Sequence, residues 1–76
     1  MDWRAVVGRN VRRIRLERGL TQEQLAFESQ IDLTYLGGIE RGKRNPSLLV
    51  LARVATALGT LPATLIEQER DGLSES

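Results

Sequence analysis

Two helix-start signals lie close together in the stretch TQEQLAFESQIDLTYLGGIERG, Thr21 to Gly42, and the residues between them leave room only for short helices joined by a tight turn. Thr21 is a favourable N-cap, and Gln24 three residues on completes a capping-box pattern. Leu25 and Ala26 follow as the inward face of that helix. Gln30-Ile31-Asp32 interrupts the pattern, and Asp32 can cap a second helix from about Leu33 to Arg41. There Leu36, Ile39 and Glu40 recur at three- and four-residue spacing, which places them on one face. If Gln30 takes a left-handed conformation in this turn, the strain is about 1–2 kcal/mol.

The flanks are helical as well. Asp2 is placed to cap a first helix from about Trp3 to Arg18, with its carboxylate at the positive end of the helix dipole. Val7, Val11 and Ile14 form its inner stripe, and Trp3 extends that stripe by a turn. Gly8 within the helix costs up to about 1 kcal/mol relative to Ala, a tolerable loss where another backbone packs close. Gly19 ends the helix as a left-handed C′ residue. Beyond the polar turn GKRNPS, Ser47 caps a fourth helix whose expected inward face is Leu48, Leu51, Ala52, Ala55 and Leu58. Gly59 stops it. Pro62 at N1 starts a short fifth helix carrying Leu65 and Ile66, although Leu61 before it has no capping side chain. The expectation is an all-α fold, a compact five-helix orthogonal bundle over residues 1–70, with residues 71–76 as a frayed tail.

Composition agrees with this and removes most enzyme classes. Seventy-six residues allow one core, and an aromatic content of 4% makes that core aliphatic. Beta-branched runs with period two are absent, so a sheet is not expected. The chain has no histidine and no cysteine, which takes away the usual general bases, nucleophile pairs, disulfides and zinc sites. No metal, cofactor or catalytic residue is expected. No apolar run approaches the roughly 18 residues of a membrane span, and MDWRAVV is no secretory signal, so a cytoplasmic location is the expectation. Residues 1–45 hold nine Arg or Lys against six Asp or Glu, a net of +3; residues 46–76 hold two against four, a net of −2. That asymmetry suits a basic surface on the N-terminal part, or simply a solvated first helix; counting charges does not choose between them.

Gln22 opening its helix, Ala26 at the helix crossing, Ile31 in the turn, Leu36 and Ile39 beyond it, the ending Ile39-Glu40-Arg41-Gly42 and the following Asn45-Pro46-Ser47-Leu48 together resemble the helix-turn-helix of the Cro and lambda-repressor class, also called XRE-type. The resemblance covers roughly residues 8 to 66 and implies a DNA-binding transcription regulator. It implies that Arg15 pairs with Glu40, tying the first helix to the recognition helix. It also implies that the recognition helix enters the major groove with its N-terminal residues at the bases. Leu33 and Thr34 then become the leading base readers, with Tyr35 beside them and Gly38 at a later reading position. Gln22 becomes a phosphate clamp at a helix N-terminus, helped by the helix-end N–H groups, with Thr21 a phosphate contact beside it. Arg41, Lys43, Arg44, Asn45 and Arg12 are the further phosphate contacts; Arg9 and Arg13 are alternatives on the first helix.

The chain departs from the class at these places. Many relatives carry bidentate side chains there, whereas Leu33 offers only a contact to a thymine methyl, Thr34 one hydroxyl, and Gly38 nothing. Either the two glycines let the helix lie closer to DNA, or Tyr35, Arg41 and Arg44 carry more of the reading, with DNA bendability adding specificity. For Gly37, packing against another helix is the simpler reading. The apolar surplus late in the chain, Leu49, Val50, Val54, Leu61, Leu65 and Ile66, exceeds what one helix face buries. Val50, Val54, Leu61, Leu65 and Ile66 are therefore the expected homodimer interface. Double-stranded DNA and a second copy are the implied partners, with RNA polymerase a further one for a regulator; no membrane is involved. A protein-holding module such as an antitoxin, using the acidic tail ERDGLSES on a toxin, is the alternative.

Overall fold

All four side-chain caps read from the sequence start a helix. The computed structural model describes residues 1–68 and consists of α1 (Trp3–Glu17), α2 (Gln22–Ser29), α3 (Leu33–Glu40), α4 (Leu48–Leu58) and α5 (Pro62–Leu65), with no strand among the described residues. Asp2 accepts from the Arg4 backbone N–H, Asp32 from those of Thr34 and Tyr35, and Ser47 from that of Val50. At α2 the capping box is complete: Thr21 Oγ accepts from the Gln24 N–H while Gln24 Oε1 accepts from the Thr21 N–H. Leu61 makes no side-chain cap, and α5 is correspondingly a single turn beginning at Pro62. The expected tail at residues 71–76 lies outside the described residues.

The first four helices end alike. The residue after the turn reaches back to a carbonyl five residues earlier: Leu20 to Arg15, Ile31 to Ala26, Lys43 to Gly38 and Thr60 to Ala55, each at 2.9 to 3.0 Å. This closure needs a left-handed residue just before it, supplied by Gly19, Gln30, Gly42 and Gly59. Gln30 alone carries a side chain there, at φ 61°, and bears the strain expected for it.

The core is aliphatic: Val7, Val11 and Ile14 of α1 meet Leu25 and Ala26 of α2, Leu36 and Ile39 of α3, Val54, Ala55 and Leu58 of α4, and Leu65 of α5. This packing corrects three sequence expectations. The α4 stripe is Leu51, Val54, Ala55 and Leu58, at i, i+3, i+4 and i+7, while Leu48 is 78% exposed and outside it. Val54 and Leu65, expected at a subunit interface, are core residues at 1% and 0% exposure. Trp3 does not extend the α1 stripe inward and stands half out in solvent.

Two further ties fix the ends of the bundle. The Asn10 amide is buried and donates to the carbonyls of Leu65 and Glu67, at 2.9 and 2.8 Å, holding α5 onto α1. Arg18 Nε donates to the Leu58 carbonyl at 3.0 Å, satisfying an orphan acceptor at the α4 C-terminus. No buried side-chain polar atom among the described residues lacks a partner.

Candidate nucleic-acid interface

The position of α3 is set by α1. At Gly8 the α1 backbone lies against the Ile39 and Glu40 carbonyls so closely that a Cβ there would stand 2.7 Å from the Glu40 oxygen and closer still to that of Ile39. Just beyond the end of α3, Gly42, at φ +74°, abuts the Ala5 backbone. These two glycines let α1 cross the end of α3 at backbone distance.

One ion pair locks that crossing. Arg15 Nε donates to Glu40 Oε2 at 2.7 Å and Arg15 Nη2 to Glu40 Oε1 at 3.1 Å, in the planar two-pronged geometry that guanidinium and carboxylate favour. Arg15 Nη1 donates to the Leu20 carbonyl at 2.9 Å. Both side chains are nearly buried, at 9% and 3% exposure. This is the pairing implied by the family resemblance.

Sequence reasoning missed a third member. Gln22 Nε2 donates to Glu40 Oε1 at 2.9 Å, so the carboxylate that anchors Arg15 also fixes the amide of the expected phosphate clamp. A carboxylate accepts only, so it holds the NH2 side of the amide toward itself and leaves the second amide hydrogen for another acceptor. No spacing rule links positions 22 and 40; the contact arises only once α2 and α3 are packed.

The remaining residues sort by burial. Leu33 and Thr34 are exposed on the first turn of α3, and Tyr35 is half-buried with its ring against the core. Gly38 is not an open reading position: it is buried, and what covers it is the Arg44 side chain. Arg44 also lies over the Tyr35 ring, with Cζ 5.9 Å from the centroid, a cation–π distance. Gly37 faces no neighbouring helix backbone, contrary to the expected packing role. A Cβ there would meet Arg41 Nη1 at 3.1 Å and Gln22 Oε1 at 4.0 Å. Thr21, Arg41, Lys43, Arg44 and Asn45 are exposed, as is Arg12. Arg12 follows Gly8 by one turn and precedes Arg15 by one, on the α1 stripe that faces α3. Arg13 turns elsewhere, to Glu17 and the Asn10 side-chain oxygen.

Of the expected interface residues, Leu61 and Ile66 are exposed at 69% and 46% and Val50 is half-buried. Leu48 and Leu49, at 78% and 68%, are exposed too, so the apolar surface is rotated toward the start of α4. Ile66 and the half-exposed Trp3 line one hollow with Pro46 and Leu51. Among the described residues no helix is long and apolar enough to cross a membrane.

Comparison with known proteins points the same way. Residues 11–65 match the helix-turn-helix family. The restriction–modification controller protein C.AhdI from Aeromonas hydrophila superposes with a TM-score of 0.79 at 45% identity, covering 82% of this chain and 94% of that one. The control protein C.BamHI of Bacillus amyloliquefaciens is 43% identical over 84% of this chain and 80% of its own length. The controller protein C.Esp1396I, solved as a tetramer in complex with its natural 35 base-pair operator, is 35% identical with a TM-score of 0.78 over 86% of each chain.

Proposed function

Because this chain belongs to the helix-turn-helix family, of the Cro and lambda-repressor (XRE) type, we propose that it is a transcription regulator that binds a two-fold operator as a homodimer through the major groove. It resembles restriction–modification controller proteins in size and plan, and autoregulation of its own promoter is part of the reading. It acts by binding and carries out no chemistry, in the compartment that holds the DNA, the cytoplasm. The observation that carries the proposal is the geometry around α3. Its first turn is open at Leu33 and Thr34, the Arg41 and Arg44 side chains lie against its two glycines, and the Gln22 amide is held beside it by Glu40.

Each part has a role in groove binding. Thr34 supplies a hydroxyl and Leu33 a methyl surface to base edges, with Tyr35 next to them. Thr21, Gln22, Arg41, Lys43, Asn45 and Arg12 hold phosphates and so fix the register of the helix in the groove, while Arg44, expected from the sequence at a phosphate, lies across α3 instead. Charge–phosphate contacts are sequence-independent and salt-sensitive, because each one releases a counterion. Lys43→Ala is expected to weaken binding to all sequences about equally and to lower the slope of log affinity against log salt by about 1, as read by fluorescence anisotropy across a salt series.

A single reading helix covers only a half-site, and two-fold pairing of subunits places two of them about 34 Å apart, one turn of DNA. Leu49, Leu61 and Ile66, with Val50, supply the apolar surface for that pairing. In an isologous interface one substitution acts twice. Leu61→Glu is expected to raise the dimer dissociation constant at least about tenfold in sedimentation equilibrium, with helix content unchanged, since fully burying one leucine is worth about 1.5–3 kcal/mol. A dimer that survives this change would relocate the interface.

Selecting binding sites from random DNA with the purified protein tests the whole proposal. Paired half-sites one helical turn apart are the expected outcome. Absence of binding to any DNA at low salt would overturn it. Nothing among the described residues favours the toxin-holding alternative, whose acidic tail, residues 69–76, lies outside them.

A further inference from the structure

We propose that Gly38 is a specificity-determining position that acts through Arg44: by lacking a side chain it seats Arg44 across α3, and the loop arginine reads the base edges that α3 itself leaves unread. The inference rests on the DNA-binding proposal above. A Cβ on Gly38 would stand 2.6 Å from Arg44 Cγ, 3.6 Å from Cδ and 3.4 Å from Nε. The arm of Arg44 therefore lies flat on the bare backbone of α3 along most of its length. Beyond that seat the guanidinium reaches the Tyr35 ring, 5.9 Å from its centroid. One end of the side chain is fixed by a steric niche and the other by an aromatic face.

The arrangement supplies what the sequence of α3 lacks. Leu33, Thr34 and Gly38 together offer one hydroxyl and no planar fork, whereas guanidinium pairs bidentately with guanine in the major groove. An arginine on a loop would ordinarily lose much rotamer freedom on binding. Held on Gly38 and Tyr35, it has given up part of that freedom already. Gly37 is the natural control. Its missing Cβ would meet only side-chain ends, Arg41 Nη1 at 3.1 Å, which can swing away, and Gln22 Oε1 at an ordinary contact distance of 4.0 Å.

The test uses alanine at each glycine, alone and combined with Arg44→Ala, in the full-length chain. Alanine is a better helix former than glycine, so the urea midpoint of Gly38→Ala is expected to stay the same or rise. Without DNA, the ring-current shift that Tyr35 imposes on the Arg44 side-chain NMR signals should be lost in Gly38→Ala and kept in Gly37→Ala. With DNA, the ratio of selected-site to random-site affinity should fall about tenfold or more in Gly38→Ala, the range expected for one bidentate contact. It should change little in Gly37→Ala. In the Arg44→Ala background, Gly38→Ala should have no further effect, since both act through one side chain. Undiminished discrimination by Gly38→Ala, or an equal loss with Arg44 already removed, would overturn the proposal. A wild-type protein that prefers no sequence would instead overturn the DNA-binding reading, and this one with it.

Discussion

Glu40→Ala is expected to remove about 3–5 kcal/mol of folding stability. The carboxylate is 3% exposed and accepts two bonds from Arg15 and one from Gln22. Truncation leaves a buried guanidinium with only the Leu20 carbonyl, and a stranded charge costs more than the pair was worth. A chain of 76 residues has a total stability of about 4–11 kcal/mol at the usual 0.05–0.15 kcal/mol per residue, so the variant should sit near the edge of folding. Urea denaturation followed by circular dichroism measures the loss. Replacing Arg15 and Glu40 together by leucine separates the two duties of the carboxylate. Apolar replacement of a buried pair is often neutral or stabilising, so the double variant should recover the fold. Gln22, however, then has no acceptor to fix its amide, and affinity for every DNA sequence should remain below that of the wild type. Full recovery of DNA binding along with stability would leave Glu40 as a structural residue alone.

The contrast between these two duties indicates what a sequence of this kind makes legible. Caps and stops are local chemistry: Asp2, Thr21, Asp32 and Ser47 each bond a backbone N–H two or three residues away, and the left-handed glycines close the preceding turn. Such features can be read without knowing the fold, and together with Pro62 they place all five helices. The Arg15–Glu40 pair was accessible only through family resemblance, since nothing in their separation brings them together. The Gln22–Glu40 bond and the Asn10 clamp on α5 were not accessible at all. Each joins a side chain to a group whose approach depends on how separate helices pack.

The apolar surplus failed in a different way. In LLVLARVATAL nearly every position is hydrophobic, so periodicity does not fix which stripe turns inward. Packing selected the stripe of Leu51, Val54, Ala55 and Leu58 and left Leu48 and Leu49 outside. Leu65 went to the core because Asn10 pulls the end of α5 onto α1, while Leu61, one residue before the helix, stayed out. The total of apolar residues exceeding one core was legible. Their assignment to core or to partner surface was not. Gly38 carries the same lesson at the proposed DNA face: helix register marks the position, but a side chain from the following loop decides what occupies it.

Gly8→Ala is expected to destabilise the protein by about 1–3 kcal/mol and to loosen operator discrimination with it. On helix propensity alone the substitution should stabilise, by up to about 1 kcal/mol. The steric term opposes this and is larger, because the new methyl would enter the carbonyl oxygens of Ile39 and Glu40. Those are backbone atoms at the end of α3, and no rotamer change relieves the contact. Only a movement of α1 away from α3 does, and α1 carries Arg15 to Glu40 at 2.7 Å. The ion pair and the Gln22 bond would stretch together, so the recognition helix loses its reference frame along with its packing. The same one-carbon change thus has opposite signs at two helix glycines. At Gly38, where a side chain can yield, stability should hold or rise while discrimination falls. At Gly8, where a backbone cannot yield, both should fall. Urea midpoints and site-to-random affinity ratios measured for the two variants side by side check this, and a Gly8→Ala protein as stable as the wild type would mean that the α1–α3 crossing is softer than its geometry implies.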